Sequence, residues 1–353
     1  MTLRTALAGS LLAVAAFLLP VQAAANGCIV VRAPSPHVIG LDSMHDGHPG
    51  RFEYTAGYRY LFSNRHFRGT HEEPERQANS TDVRNSVHTV DHTVTWYKSD
   101  LWRFSASLPQ QFARRSSLYE HDRVNRHTME SNGIGDLRVV AYREFFPDNL
   151  MTHGLSIGLG FKVPTGSDDI TDIAFTTTGP ERRTVDQSIQ PGDGGVGLIA
   201  EIIYYRSLSE NEDTYAFFTG SYLINPKDTN GVQTFRSRAS EAIMSVPDTY
   251  VVRTGVTRLL SRRLGMTGDL AIRAEGVPAE DLIGDSNGFR RPGYAVYIEP
   301  GLNLQKGAHR LSLNVPVTIH RNRVRSVTDR LDDRHGDAAF ADSLFLMTYS
   351  ARW

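Results

Sequence analysis

The chain has 353 residues, 38 of them basic and 39 acidic, for a formal net charge of -1. That balance gives no basic field to draw nucleic acid and no acidic excess to form a solvating tail, so no nucleic-acid partner is expected. Hydrophobic residues make up 40% and the mean hydropathy is -0.33. Those are the values of a soluble protein, yet they do not exclude a membrane barrel, whose strands meet lipid only at every second residue.

The start of the chain is its one strongly apolar stretch. Arg4 precedes an apolar run from Leu11 to Leu19, then Pro20 and the small residues Ala23, Ala24 and Ala25. This layout predicts a secretory signal peptide over 1–25, cut after Ala23 or Ala25. An uncleaved anchor is the alternative, but the run falls short of the roughly 20 apolar residues that cross a bilayer as a helix. Residues 26–50 then read as a periplasmic or lumen-filling arm. Cys28 is the single cysteine, so no internal disulfide is possible. It is either a lipidation site after Gly27 or a lone thiol. His37, His45 and His48, near Asp42 and Asp46, have the chemistry of a transition-metal site. Their spacing matches no defined one, and no metal or other cofactor is expected.

From Arg51 to the end the chain reads as an all-β, transmembrane antiparallel β-barrel, 51–353. Segments of roughly ten residues alternate apolar and polar side chains, with turn-forming stretches between them. Phe52, Tyr54, Ala56, Tyr58, Tyr60 and Phe62 share one face, and Glu53, Thr55, Gly57 and Arg59 the other. Val90, His92, Val94 and Trp96 oppose Asp91, Thr93 and Thr95. Trp102, Phe104, Ala106 and Leu108 oppose Arg103, Ser105 and Ser107. Leu137, Val139 and Ala141 oppose Arg138 and Val140. Leu155, Ile157, Leu159, Phe161 and Val163 oppose Ser156, Gly158, Gly160 and Lys162. The pattern continues through 196–205, 214–224, 249–260, 266–275, 294–304, 311–319 and 343–353, for twelve candidate strands.

The connections sort themselves by length. Long ones such as 63–86, 225–248 and 321–342 alternate with short ones such as 206–213 and 261–265. Outer-membrane barrels have long external loops, short periplasmic turns and an even number of strands, and a twelve-strand barrel entered from the periplasm keeps both termini there. The polar faces carry charge well inside the strands, at Arg59, Arg103, Arg138, Lys162, Glu201, Arg253, Asp269, Arg273, Glu275 and Glu299. A sandwich core would have to pair or expel these groups. A wet lumen accepts them, so these ten are the candidate lumen-lining residues. Tyr54, Phe62, Trp96, Trp102, Phe145, Phe146, Tyr204 and Tyr250 lie near strand ends, as interfacial girdles do. Phe345, Met347, Tyr349, Ala351 and Trp353 alternate to a terminal aromatic, the form of the C-terminal signal read by barrel-assembly machinery.

Three islands carry a family resemblance. Gly133-Ile134-Gly135-Asp136 opens the fourth strand, Lys162-Val163-Pro164-Thr165-Gly166 closes the fifth, and Gln190-Pro191-Gly192-Asp193-Gly194-Gly195 opens the sixth. In order and context they resemble the outer-membrane barrels of the MetA pathway of phenol degradation family. The resemblance implies a barrel that handles small, mostly apolar compounds, and it supplies no functional residues. The loop 63–86 has no counterpart there.

Other constellations are weaker. His127 and Ser131 are similar in type to the pair used by outer-membrane acyl hydrolases, where a base two residues from the nucleophile shares its face of the strand. Here the spacing is four, on a predicted loop where Asn132-Gly133 reads as a turn, so no enzyme is expected. Asp168, Asp169 and Asp172 could group around calcium or simply be solvated. Arg321, Arg323, Arg325, Arg330 and Arg334, with His320 and His335, could contact lipopolysaccharide phosphates, although Asp329, Asp332, Asp333 and Asp337 dilute them. The expected function is passive uptake or efflux of small solutes, apolar or aromatic ones among them, across the outer membrane. The partners are then lipid, lipopolysaccharide and the solute. A closed barrel with a surface-binding or structural role is the alternative.

Overall fold

The computed structural model describes residues 50–146 and 152–353. The predicted signal peptide and the arm up to residue 49, with Cys28, His37, His45 and His48, lie outside the described residues. In chain order the strands are β1 (Arg51–Arg68), β2 (His71–Glu72), β3 (Arg84–Ser99), β4 (Trp102–Ser117), β5 (His127–Ile134), β6 (Leu137–Glu144), β7 (His153–Val163), β8 (Thr171–Thr176), β9 (Gly179–Thr184) and β10 (Gly197–Ser207). There follow β11 (Thr214–Ile224), β12 (Thr229–Gln233), β13 (Ile243–Ser245), β14 (Thr249–Ser261), β15 (Met266–Val277), β16 (Gly293–Lys306), β17 (His309–Asn314), β18 (Val317–Asn322) and β19 (Ala338–Arg352).

Twelve staves form the wall, each antiparallel to its neighbours. They are β1, β3, β4, β5 with β6, β7, β10, β11, β14, β15, β16, β17 with β18, and β19. Pairing of β19 with β1, from Arg352↔Glu53 to Ala338↔Phe67, closes the ring. Closure leaves no strand edge with unmet backbone groups, which a hydrocarbon surround demands. Two staves are interrupted. Between β17 and β18 stands Pro316, which has no N–H to give to the ladder. Between β5 and β6 stand Gly135 and Asp136, facing Pro109 of β4, whose carbonyl takes the Gly135 N–H at 2.7 Å.

That second break corrects the expectation for the fourth strand. His127 to Gly133 is not a loop but strand β5, with Asn132 opposite Phe112 and Ser131 opposite Ala113. Asn132-Gly133 is therefore no turn, and the Gly-Ile-Gly-Asp island interrupts the stave rather than opening it. The alternation was masked because Ser131 and Met129, both small or flexible, take the inward positions and the polar Glu130 and Asn132 the outward ones. This stretch lies beyond the apolar band, where outward polar residues cost nothing. The 63–86 connection shrinks for the same reason: β1 runs on to Arg68 and β3 begins at Arg84.

The short connections all lie at one end, together with the first described residues and the C-terminus. Phe52 and Trp353 exchange two backbone hydrogen bonds of 3.0 Å there. At the same end an aromatic belt crosses four staves on the outside. Trp353 stacks on Phe52, Phe52 on Trp96, Trp96 meets Phe104 and Phe104 stacks on Trp102, at ring separations of 5.8–6.4 Å. Arg143 lies 5.3 Å over Trp102, so this charge sits at the rim of the apolar face. Farther along, Leu159 and Leu270 present 66% and 60% of their surface outward, the exposure of side chains that face lipid. The long-connection end carries the hairpins β8–β9 and β12–β13 and the one-turn helices Glu75–Ala78 and Val327–Leu331.

Candidate functional site: the barrel interior

Inward positions follow from the pleat. Since Phe52, Val94 and Trp96 point out, Arg59, Asp91, Thr93 and Thr95 point in, and all four are buried. The ten sequence-predicted residues fall into two groups.

The first group is an ion-pair ladder on β14, β15 and β16. Arg253 and Arg273 stand directly opposite each other in the register, which alone would be repulsive. Glu299 separates them, 2.7 Å from Arg253 Nε and 3.7 Å from Arg273 Nη1. Asp269 is 3.6 Å from Arg253, and Glu275 is 2.7 Å from Arg273. Arg59, from β1 across the interior, reaches Glu275 at 2.8 Å. Three cations thus meet three anions, and every member is buried. Gly255, Ala271 and Gly301 lie at adjacent inward positions and make room for these long side chains. On the outward side of the same strands such charges would each cost roughly 2–4 kcal/mol at mid-membrane.

The second group lies on β4, β6, β7 and β10. Arg103 donates to Glu144 at 2.6 Å and stacks 4.3 Å over the Tyr142 ring, and the Tyr142 hydroxyl donates to Glu201 at 2.6 Å. Arg138 is buried within electrostatic reach of Asp91, Glu201, Asp193 and Asp136. Lys162, also buried, pairs with Asp193 and lies 3.9 Å from Asp136.

Lys162 belongs to a knot that the sequence islands build together. Asp136 accepts the Gly166 N–H at 3.1 Å and the Asp193 N–H at 3.2 Å. The Thr165 hydroxyl donates to the Gly135 carbonyl and accepts the Leu137 N–H. A Cβ on Gly166 would meet the backbone of Gly135 and Gly192, and one on Gly192 would meet the Gly166 carbonyl. Three stretches distant in sequence are therefore glycine-rich for one reason, which is backbone packed on backbone.

Reasoning from charge alone missed the apolar part of the interior. Val140, Tyr142, Ile199, Ile203, Tyr205, Tyr215, Phe217 and Leu223 form one buried cluster over β6, β10 and β11. Beside it β4, whose Ser105 faces Val140 in the register, and β3 present small hydroxyls, Thr93, Thr95, Ser105 and Ser107, along with Asp91 and Arg103, and Thr93 and Ser107 are bonded at 2.7 Å. Period-two alternation of apolar residues on both faces of β10 and β11 was the available signal.

At the long-connection end a loop folds inward. Val185 to Gln190 is buried throughout. Asp186 accepts from Arg291 at 2.6 and 2.8 Å and lies 3.5 Å from Arg115, which in turn binds Glu120 at 2.7 Å. Burial by itself raises the Asp186 carboxyl's affinity for a proton, but Arg115 and Arg291 outweigh it and hold the group well below the usual carboxylate range. The Ile189 carbonyl accepts from Gln111 at 2.9 Å and from the Ser131 hydroxyl. Gln187 donates to the Ser245 carbonyl at 2.5 Å.

The remaining candidates do not assemble into sites. Four residues apart on β5, His127 and Ser131 are roughly 13 Å apart along the strand. His127 stacks on Phe175 at 4.4 Å, and Ser131 is occupied by Ile189. Asp172 accepts the N–H groups of Glu130 and Ile173. Among the described residues no group of three or more His, Cys, Asp or Glu side chains could hold a metal. The five loop arginines each meet a carboxylate: Arg321 Asp342, Arg323 Asp329, Arg325 Asp333, Arg330 Glu280 and Arg334 Glu241.

Comparison with known proteins places the fold. No protein-family model matches the sequence, and neither does any curated protein. Among solved structures, an outer membrane channel from Pseudomonas putida F1 superposes with a TM-score of 0.59 at 11% identity, over 87% of this chain and 96% of that one. This is the fold of a twelve-stranded outer-membrane β-barrel. The toluene transporter TodX of P. putida gives 0.43 at 9% identity, over 90% and 93% of the two chains. The monoaromatic hydrocarbon channel CymD gives 0.42 at 9%, over 89% and 93%.

Proposed function

We propose that this protein sits in the outer membrane, with both termini in the periplasm, and passes small apolar solutes by facilitated diffusion. The observation that carries the proposal is the buried cluster of Val140, Tyr142, Ile199, Ile203, Tyr205 and Phe217. Barrel interiors are ordinarily polar. An apolar patch inside one, interrupted on β10 only by Glu201 between Ile199 and Ile203, offers a solute with no hydrogen-bonding groups a surface that asks for none. The charged residues enclose that wall and disfavour bare ions, which would have to break balanced pairs to enter. Resemblance of the three glycine-rich islands to the MetA barrels supports the same reading, as does the solved channel with the same fold.

A closed barrel with its role at the surface is the second reading, favoured by how completely Arg253, Arg273, Glu275 and Glu299 fill their side of the interior. Entry of radiolabelled naphthalene into cells that do and do not produce the protein separates the two. Faster entry supports passage; equal rates favour the closed barrel.

A further inference from the structure

We infer that the inward-folded segment Val185–Gln190 is the constriction that sets what the barrel admits, held in place by Asp186 between Arg115 and Arg291. The inference rests on the reading of the barrel as a path for solutes and adds the residues that determine its selectivity.

Loops between strands ordinarily run over the surface, because a buried loop carries backbone groups that water can no longer satisfy. This one is buried over six consecutive residues, and its polar groups are met by the walls around it. On the β4 side Gln111 binds the Ile189 carbonyl, and Arg115 reaches Ser188 at 3.3 Å and Asp186 at 3.5 Å. From β5, Ser131 binds the same Ile189 carbonyl. From the β13 side the Ser245 carbonyl takes Gln187. Just before β16, Arg291 grips both Asp186 oxygens. Val185 and Ile189 pack with Val87, Ala113 and Met129 from β3, β4 and β5. The contacts come from well-separated staves, so the segment lies across the mouth and not along one wall.

Asp186 is the only charged residue among the six, and it meets the guanidinium groups of both Arg115 and Arg291. Of those two, Arg115 keeps a second carboxylate, Glu120, at 2.7 Å. Loss of the Asp186 charge therefore removes the two bonds that tie Asp186 to Arg291 while the β4 wall remains paired. Backbone capping by the Asp186 carboxylate, which accepts Ser188 N at 3.0 Å, is lost in part as well. The segment then keeps the 3.3 Å bond from Arg115 to Ser188, neutral hydrogen bonds and apolar contacts against its tendency to move to solvent.

The test uses the purified full chain in planar bilayers and in liposomes loaded for swelling with neutral sugars of increasing size. Asp186→Asn and, separately, Arg291→Gln are expected to raise single-channel conductance severalfold and to admit larger sugars than the wild type. Asp186→Glu, which keeps the charge, is expected to stay near the wild type. Folding of each variant is read from heat-modifiable gel mobility. If the wild type passes solutes and the folded Asn and Gln variants match it in conductance and size limit, the inference fails alone. If no form conducts or swells, the inference fails together with the reading of the barrel as a solute path.

Discussion

Removing Glu299 is the sharpest test of the interior ladder. Its carboxylate is fully buried and stands between two arginines that face each other in the register, 2.7 Å from one and 3.7 Å from the other. In Glu299→Ala, Arg273 retains Glu275 at 2.7 Å, but Arg253 is left with the Phe217 ring at 4.6 Å and, as its one anion, Asp269 at 3.6 Å. Breaking one buried pair while leaving its partner charged costs about 3–5 kcal/mol. Repulsion between the two facing arginines adds to this, so the loss belongs at the upper end. Replacing both partners, as in Arg253→Met with Glu299→Leu, removes the uncompensated charge. The double variant should recover most of the loss, since an apolar pair of similar volume is often neutral or better. Urea-induced unfolding in phospholipid vesicles, followed by tryptophan fluorescence, gives both numbers. A loss below about 1 kcal/mol for Glu299→Ala would show that the site is solvated and the ladder energetically idle. A double variant no more stable than the single would refute the pairing argument.

Other consequences are equally direct. Leu270→Arg, on the outward face of β15, should cost roughly 2–4 kcal/mol in the same unfolding assay, whereas the outward Glu130→Gln, beyond the apolar band, loses only an exposed pair with Arg114 at 2.8 Å and should cost under about 1 kcal/mol. Gly192→Ala sets a methyl group against the Gly166 carbonyl. It should destabilise the knot by about 1–3 kcal/mol, and Gly166→Ala should do the same, with Gly307→Ala, which meets open space but has φ 58°, losing only about 1 kcal/mol of turn strain. For pH, Asp186 has a folded-state affinity for protons below the usual carboxylate value of about 3.9. A lowered value means its contribution is present above that pH and lost as pH falls through the folded value. Burial pushes the neighbouring Glu120 carboxyl up, so the Asp186 contribution is isolated in Glu120→Gln, where passage should be constant from pH 8 to pH 5 and should widen only in strong acid. A transition near neutral pH in bilayer conductance would contradict this.

Much of the architecture was legible from alternation alone. One face of each strand must satisfy lipid and the other the interior, so the period of two survives in every membrane-spanning stretch from Phe52 to Trp353. It fades where the staves rise past the lipid, as at His127–Ile134, because there the outward face is no longer held apolar while the inward one takes small or polar residues such as Ser131, and residue type stops reporting direction. Ten strand charges could be singled out as candidates because a charge inside an otherwise apolar strand has few places to go. Which of them meet could not, since Arg59 and Glu275 are brought together only by closure of the ring. The apolar wall escaped notice because an inward Ile203 or Phe217 looks like any strand residue. The Asp186 clamp was hidden more deeply: a single carboxylate in a loop has no periodicity, and its arginines, Arg115 and Arg291, lie on different walls.

The account turns on the apolar wall as the solute's path. Ile203→Asp, with Tyr205 and Phe217 retained, sets a second carboxylate beside Glu201 in the middle of it and replaces no residue of the ladder or the Asp186 clamp. The rate of naphthalene entry into cells producing equal amounts of folded wild-type and Ile203→Asp protein measures the claim directly. The variant's rate is expected to fall to that of cells lacking the protein. A rate equal to the wild type's, with the variant folded and in the outer membrane, contradicts it.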